Sequence, residues 1–294
     1  MKDNSAKYFL CCILQSRIIK RQPIKNMMIL SLSLAEKTGI VAFIAAVVLL
    51  SLGTWLYVIP LICFVLSCLI APFIPQFGFF LPITSRSATS ANKTVSLSFD
   101  DGPDPKSTPY ILKLLDDYNI KATFFVVGSK AKQNQDLIRL ILNNGHSIGN
   151  HTYSHDSFLM LKGTSKLAHE IQKTQEILQQ QGIIPLAFRP PVGITSPRLK
   201  NVLRDYGLFL VNFSHRSADM GNRFVHGLAE RILKRIKPGA IIVLHDTCPK
   251  NPNELNNWLT EIEHLIIGIE RKKLTIVPLE ALIDKPVMRE TEKR

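Results

Sequence analysis

The chain contains few cysteines and distributes them unevenly. Four of the five, Cys11, Cys12, Cys63 and Cys68, precede residue 70 of the 294, and only Cys248 lies in the remainder. A disulfide framework and a cysteine-based zinc site are therefore both excluded for the C-terminal two thirds. Any metal site in that part must be built from histidine and carboxylate side chains.

Acidic residues are scarce in the first third. Residues 1–93 hold nine Lys and Arg against two Asp and Glu, so more than half of the net charge of +13 lies there. The excess borders an apolar stretch and is not gathered into a nucleic-acid-binding motif. This distribution favours a membrane anchor and argues against a nucleic-acid partner.

Charged residues are missing altogether between Thr38 and Ser85. Residues 39–59 alone are long enough to cross about 30 Å of hydrocarbon as a helix. Pro60 interrupts the run, and residues 61–81 continue apolar but contain further prolines and a glycine. We therefore predict a membrane protein, in a bacterial-type cytoplasmic membrane, with either one or two spans.

The predicted organisation follows from this anchor. A basic segment (1–37) precedes the membrane anchor (38–85), a small polar linker (86–93) follows, and the chain continues into a catalytic domain (94–284) and a charged tail (285–294). The basic N-terminus should remain in the cytoplasm. One span would place the catalytic domain outside, and two would return it to the cytoplasmic side, so the side stays open.

Strand-like and helix-like segments alternate from residue 94 onward. Seven strands are predicted, at 94–99, 122–127, 146–150, 186–189, 208–213, 240–245 and 274–278. Alternation over about 200 residues indicates parallel strands with helices outside. An open doubly wound sheet and a (β/α) barrel one unit short of eight both fit this pattern.

Polar residues collect where these strands end, which is where barrels carry their working side chains. Asp100 and Asp101 end the first strand, and two adjacent carboxylates need a cation or a positive side chain nearby. His151 and His155 follow the third strand four residues apart, so both imidazoles can face one point. With one carboxylate they predict a set of two histidines and an acid for a catalytic metal.

Four motifs in this order resemble one family. SFDDGP (98–103), HTYSH (151–155), FRPPVG (188–193) and LHD (244–246) are similar to the motifs of polysaccharide deacetylases, the NodB-homology domain of carbohydrate esterase family 4. The resemblance covers about residues 93–283. It implies a distorted (β/α)₇ barrel, here preceded by one or two transmembrane helices.

The resemblance also implies roles for individual residues. Asp101, His151 and His155 would bind a divalent metal, usually zinc and sometimes cobalt or another ion. Asp100 would be the general base, held in place by Arg189, and His245 the general acid. We further expect Asp219 to orient His245, as an acid does in a triad. The remaining predicted residues belong to the substrate site: Pro191, Val192, Arg216, Met220 and Leu244.

Two departures from the family pattern bear on the substrate. The fourth motif often reads Asp-x-x-Asp-Trp, but here Arg216 replaces the first acid and Met220 the aromatic residue. Arg216 predicts a phosphate or carboxylate on the substrate. The expected function is metal-dependent removal of N-acetyl groups from amino sugars in peptidoglycan, a chitin-like oligosaccharide or a lipid-linked sugar. The alternatives are a deacylase or deformylase of a lipid-linked sugar and a non-catalytic glycan-binding membrane protein.

Overall fold

A computed structural model describes residues 32–88, 93–217, 219 and 221–291. Most of the predicted basic segment, part of the linker (89–92), the end of the charged tail (292–294) and Met220 lie outside the described residues. The division of the chain at residues 38, 86, 94 and 285 stays a prediction.

A curled parallel sheet forms the centre of the described chain. Its strands are β1 (Thr94–Asp100), β2 (Thr123–Val126), β3 (Ser147–Asn150), β5 (Ala187–Phe188), β6 (Phe209–Leu210), β7 (His215–Arg216), β8 (Ile241–His245) and β9 (Thr275–Ile276). The order is β6-β5-β3-β2-β1-β8-β7, and β9 pairs with the start of β1. β4 (Ile183–Pro185) and β10 (Met288–Glu290) form a separate antiparallel pair.

Strand register brings the carboxyl ends to one level. Asp100 at the end of β1 lies opposite Phe125 on one side and His245 on the other. Asn150 at the end of β3 lies opposite Phe188 on β5. The polar residues that follow these strands therefore share one mouth. The predicted class, a parallel α/β barrel of distorted shape, is confirmed.

Helices cover the outside of the sheet. They are α3 (Thr108–Asp117), α4 (Gly128–Gln133), α5 (Gln135–Asn143), α6 (Thr164–Gln180), α7 (Leu199–Asp205), α8 (Leu228–Leu233), α9 (Leu255–Arg271) and α10 (Leu279–Ile283). On α9, Trp258, Ile262, Leu265 and Ile269 recur at helical spacing and are fully buried. Fully burying one such side chain contributes about 1.5–3 kcal/mol.

Alternation along β1 separates the two faces of the sheet. Leu97 and Phe99 pack into the apolar core beneath the helices, whereas Ser98 and Asp100 project to the barrel interior. Phe125 and Val243 line the same interior from the neighbouring strands. Ser98 and Asp100 thus occupy interior positions of a strand that is buried from Val95 onward. A polar and a charged side chain in such a place indicate a functional site.

Two helices precede the barrel. α1 (Leu34–Ser51) and α2 (Val58–Ile70) flank a short 3₁₀ turn at Trp55–Tyr57. By length and composition, Leu34–Ser51 and Trp55–Phe73 are candidate membrane spans. Only 11% and 6% of them are buried, so they are not core helices of the barrel.

The chain between α2 and β1 packs onto the barrel. Phe79, Phe80 and Leu81 join a buried cluster with side chains of α6 and α7. Thr84 then forms a parallel bridge with Val211 beyond β6, and Arg86 an antiparallel bridge with Ala240 before β8. Residues 84–86 therefore span the opening between the two edges of the sheet. The first residues of the predicted linker belong to this docked segment.

Candidate metal centre and catalytic site

The site begins with an unusual backbone where β1 ends. Asp101 has a φ of +71°, and Thr152, His155 and Val192 at the same mouth have φ between +53° and +65°. Residues with side chains adopt this left-handed region at a cost and retain it only where the surroundings hold it in place. The Lys130 ammonium supplies one such hold by donating to the Asp101 carbonyl oxygen at 2.7 Å.

Three potential metal ligands converge beside β1. The ligand atoms of Asp101, His151 and His155 all lie within 4.8 Å of one another. His155 Nε2 is 3.0 Å and His151 Nε2 3.4 Å from Asp101 Oδ1. The structure therefore brings together all three residues predicted to bind a metal.

The orientation of His151 suits a metal ligand. Its Nδ1 lies 2.7 Å from the carbonyl oxygen of Arg189, so Nδ1 carries the proton. The lone pair of Nε2 then faces Asp101, and a hydrogen-bonded second nitrogen of this kind is typical of metal-binding histidines. Two imidazoles and one carboxylate, half enclosed, fit zinc or a similar divalent ion with positions left for water and substrate.

The carboxylate of this set is kept ionised. Burial alone would raise the pKa of Asp101, but the neighbouring imidazoles of His151 and His155 hold it well below its usual range. Burial lowers the pKa of His155, and its contact with Asp101 more than offsets this and raises it. The pocket thus provides a fixed negative charge at the point where a cation would sit.

Asp100 forms a buried ion pair next to the three ligands. Arg189 Nη1 donates to Asp100 Oδ1 at 2.6 Å, and the other carboxylate oxygen lies 3.9 Å from His151 Nε2. One oxygen is therefore held by the arginine while the other faces the metal set. Arg189 has the geometry of the positioning residue predicted for Asp100.

Arg189 is held from several directions. Its side chain is fully buried, its Nη1 also donates to Ser98 Oγ, and its Nε donates to the Val211 carbonyl at 3.2 Å. The guanidinium lies 3.9 Å from the centre of the Phe125 ring. Burial lowers the pKa of Arg189, and Asp100 counteracts this. Removing either partner would leave an uncompensated buried charge, which typically costs about 3–5 kcal/mol.

A second acid–base pair lies at the end of β8. His245 Nδ1 is 3.0 and 3.1 Å from the two oxygens of Asp219, which is buried. Burial lowers the pKa of His245, but the hydrogen bond and charge of Asp219 outweigh it and raise the pKa to about 9. The imidazole is therefore protonated at neutral pH, with Nε2 left to donate a proton. Asn222 supports this strand end by donating to the His245 carbonyl at 3.0 Å.

Val192 presents a backbone donor at the rim. Its φ of +60° breaks the helical turn at Pro191–Gly193, and its side chain is 47% exposed. Among the described residues the Val192 amide has no hydrogen-bond acceptor, although both following amides are bonded. An unpaired N–H at the mouth is suited to a developing oxyanion.

Of the other predicted substrate residues, the structure turns Leu244 away from the mouth. Leu244 is fully buried in the core beneath the helices, on the face of β8 opposite to His245. Arg216 is exposed on β7, opposite Val243, and makes no ion pair within the described part of the chain. Pro191 is buried, and Met220 lies outside the described residues.

Glu170 on α6 was not predicted as a site residue. Its Oε2 accepts hydrogen bonds from the amides of Tyr153 and Ser154 at 3.1 and 2.7 Å and from Ser154 Oγ. Burial would raise its pKa, but these bonds lower it. Glu170 thus holds the loop between the two histidines. Glu170 lies on the same helix face as the apolar residues Leu167 and Ile171, and this position in the sequence could have predicted a buried carboxylate with hydrogen-bond partners.

Glu170→Ala is expected to lower the affinity for the metal by about 10–100-fold, as is usual for residues that position metal ligands. The loop would lose three hydrogen bonds to one carboxylate oxygen. Isothermal titration of the metal-stripped full chain with Zn²⁺ would measure this. Glu170→Gln should restore most of the affinity, and Glu176→Ala on the exposed face of the same helix should leave it at the parent value. Equal affinity of the Glu170→Ala protein and its parent would contradict the positioning role.

Fold and site together define an α/β barrel protein with a candidate divalent-metal centre at the carboxyl ends of its strands. Residues 87–211 match the family model described as polysaccharide deacetylase. The chitooligosaccharide deacetylase of Azorhizobium caulinodans is 30% identical over 203 residues, which are 65% of this chain and 95% of that protein. The chain belongs to the polysaccharide deacetylase family, as its motifs predict.

Two further relatives define the extent of the similarity. The peptidoglycan-N-acetylglucosamine deacetylase PgdA of Listeria monocytogenes is 34% identical over 173 residues, which are 58% of this chain but only 36% of the Listeria protein. The crystal structure of the Bc1960 peptidoglycan N-acetylglucosamine deacetylase superposes with a TM-score of 0.64 at 29% identity. That superposition covers 70% of this chain and 95% of the other.

Proposed function

We propose that this protein is a metal-dependent hydrolase that removes N-acetyl groups from amino-sugar residues of a glycan while anchored to a membrane. The observation that supports this most is that Asp100 and His245 lie side by side at the ends of the neighbouring strands β1 and β8, beside the three convergent ligands. A glycan-binding module would need neither a second carboxylate beside the metal ligands nor a protonated imidazole there. The relatives named deacetylases of peptidoglycan and chitooligosaccharides agree with this class of substrate.

The proposed mechanism assigns each proton to a named atom. A divalent ion such as zinc, held by Asp101, His151 and His155, would polarise both the attacking water and the acetyl carbonyl. Asp100 accepts a proton from the water through the oxygen not bound by Arg189. The water oxygen bonds to the acetyl carbon, and the Val192 amide donates to the carbonyl oxygen as negative charge develops on it.

His245 completes the reaction. Its protonated imidazole donates to the sugar nitrogen as the carbon–nitrogen bond breaks, giving acetate and a free amine. Asp219 keeps this imidazole charged and fixes the ring through Nδ1. A proton acceptor, Asp100, and a proton donor, His245, thus lie at the ends of neighbouring strands, as hydrolysis of an amide requires.

The test is turnover of short chitin oligomers by the purified full chain in detergent, with Zn²⁺ or Co²⁺ added. Release of one acetate for each new amine supports the proposal. Formate from an N-formylated sugar, with no acetate from the acetylated one, would instead identify a deformylase. Bound metal and bound glycan without any product would favour a glycan-binding membrane protein.

A further inference from the structure

Helices α1 and α2 form an antiparallel hairpin with both ends fixed to the barrel. At the start of α1, the Glu36 carboxylate lies 3.0 Å from the Lys200 ammonium of α7. Just beyond α2, the Pro72 carbonyl oxygen accepts a 3.1 Å hydrogen bond from the Thr195 amide. The hairpin therefore leaves the barrel and returns to it on the same side.

Between these ends the hairpin is apolar and exposed. A helix of 18 residues is about 27 Å long, close to the thickness of the hydrocarbon core. Trp55, in the turn at the far end, is 74% exposed, and Tyr57 follows it. Tryptophan and tyrosine are enriched at membrane–water interfaces. The lengths and composition of α1 and α2 are thus compatible with two membrane spans, with the turn between them at the membrane face away from the barrel.

The charge pattern gives the hairpin a direction. The turn at residues 52–54 carries no charge, whereas basic residues flank both ends of the hairpin in the sequence: Lys20, Arg21, Lys25 and Lys37 before or at its start, and Arg86 and Lys93 after it. Short segments rich in Lys and Arg remain in the cytoplasm. Two spans therefore place the barrel on the same, cytoplasmic side as the basic N-terminal segment.

The base of the hairpin also touches the rim of the site. Asn212 Nδ2 donates to both the Pro75 and the Gly193 carbonyl oxygens, at 2.8 and 3.1 Å. Pro75 lies 3.4 Å from where a Cβ on Gly193 would be. Gly193 directly follows Val192, so the loop that presents the candidate oxyanion donor rests on the chain emerging from α2.

Exposed apolar side chains continue from the hairpin base onto this rim. Leu159 and Met160, in the loop after His155, share one buried cluster with Ala35 and Ala71 of the hairpin. Six large apolar residues beside these contacts are exposed, and we call them the apolar rim: Phe73, Ile74, Phe77, Phe158, Leu161 and Val192. Exposed apolar surface next to a membrane span is suited to the bilayer interface.

We propose that the hairpin seats the mouth of the barrel on the cytoplasmic face of the bilayer, with the apolar rim in the interface, so that the substrate is an amino sugar attached to a membrane lipid. This inference rests on the proposed deacetylase function. An assembled polymer across the membrane cannot reach such a mouth.

The first experiment tests the side of the membrane in the full chain. Alkaline phosphatase fused after the last residue should be inactive, because it folds only outside the cytoplasm. The same reporter inserted after Gly53, where the structure has open space around the turn, should be active. Activity at the C-terminal fusion, or inactivity at both positions, would overturn the proposal.

The second experiment tests the substrate. The full chain in phosphatidylethanolamine–phosphatidylglycerol vesicles is given N-acetylglucosaminyl diphosphopolyprenol, and in detergent it is given chitin oligomers. Leu161→Glu should lower the ratio of the first rate to the second by about tenfold, the expected effect of withdrawing one large apolar side chain from the interface. Leu140→Glu, on the exposed face of α5, is the matched control and should leave the ratio unchanged.

The outcomes distinguish a failure of the lipid-linked substrate from a failure of the deacetylase function. Turnover of chitin oligomers with none of the lipid-linked sugar, or an unchanged ratio for Leu161→Glu, would overturn the lipid-linked substrate and leave the deacetylase function standing. Turnover of neither substrate with metal bound would overturn both. Preference for the lipid-linked sugar, lost with Leu161→Glu, supports the proposal.

Discussion

Asp101→Asn is expected to lower metal affinity by more than about 100-fold, whereas Asp100→Asn should retain the metal and lose about 10²–10⁴-fold in kcat. The two carboxylates are neighbours in sequence but face different partners. Asp101 lies among the histidines, and Asp100 is bound by Arg189. Metal content by mass spectrometry and kcat on chitin oligomers, measured on the same preparations, would separate the two roles.

Stability must be measured alongside activity for Asp100→Asn. The asparagine keeps an oxygen for the Arg189 guanidinium but removes the charge that compensates it in a fully buried site. We therefore expect a lower Tm, and kcat has to be determined well below it. Asp136→Asn, an exposed acid on α5, is the control. Loss of metal in both variants, or in neither, would contradict the division of roles.

Most of the barrel was predictable from local pattern. The seven expected strands are all present, because buried parallel strands form continuous apolar runs that end in Gly, Pro or polar residues. Strands β5, β6 and β9 have only two residues each, although longer apolar runs surround them. A run of apolar residues does not reveal how many of its residues pair with a neighbouring strand.

The face of β8 on which Leu244 lies follows from side-chain alternation along the strand. β8 is apolar on both faces, so composition does not reveal which residues face the barrel interior. Once Asp100 and His245 are paired across the sheet, alternation assigns Val243 to the interior and Leu244 to the helical side. The side-chain period alone would therefore have argued against Leu244 as a substrate residue.

The contacts between the barrel and the segment that follows the hairpin could not be predicted from local sequence pattern. Asn212 reaches Pro75 across 137 residues of sequence, and Thr84 bridges to Val211. Such contacts depend on which sheet edges remain unpaired after the barrel has formed. Proline and glycine near residues 72–78 indicated an irregular segment, but they do not specify the surface it binds.

Asp219→Asn is expected to move the alkaline limit of activity downward from about pH 9. His245 must be protonated to donate to the leaving nitrogen, and its pKa of about 9 keeps it charged across the neutral range. Asp219 contributes most to raising this pKa against the effect of burial, and the charges of Asp101 and Asp100 add to it. Without the charge of Asp219 the burial remains, so the pKa of His245 falls.

The size of the effect depends on the pH of the assay. If the pKa falls to about 6, the protonated fraction at pH 8 drops from about nine tenths to about one hundredth, a loss of roughly 100-fold in kcat/KM. At pH 5.5 the two proteins should differ far less, since His245 is then mostly protonated in both. A bound cation would lower the alkaline limit of the parent and of Asp219→Asn alike. The informative quantity is therefore the difference between the pH profiles of the two proteins. A pH-independent loss of activity would show that Asp219 orients the ring without setting its charge, and an unchanged profile would remove His245 as the acid.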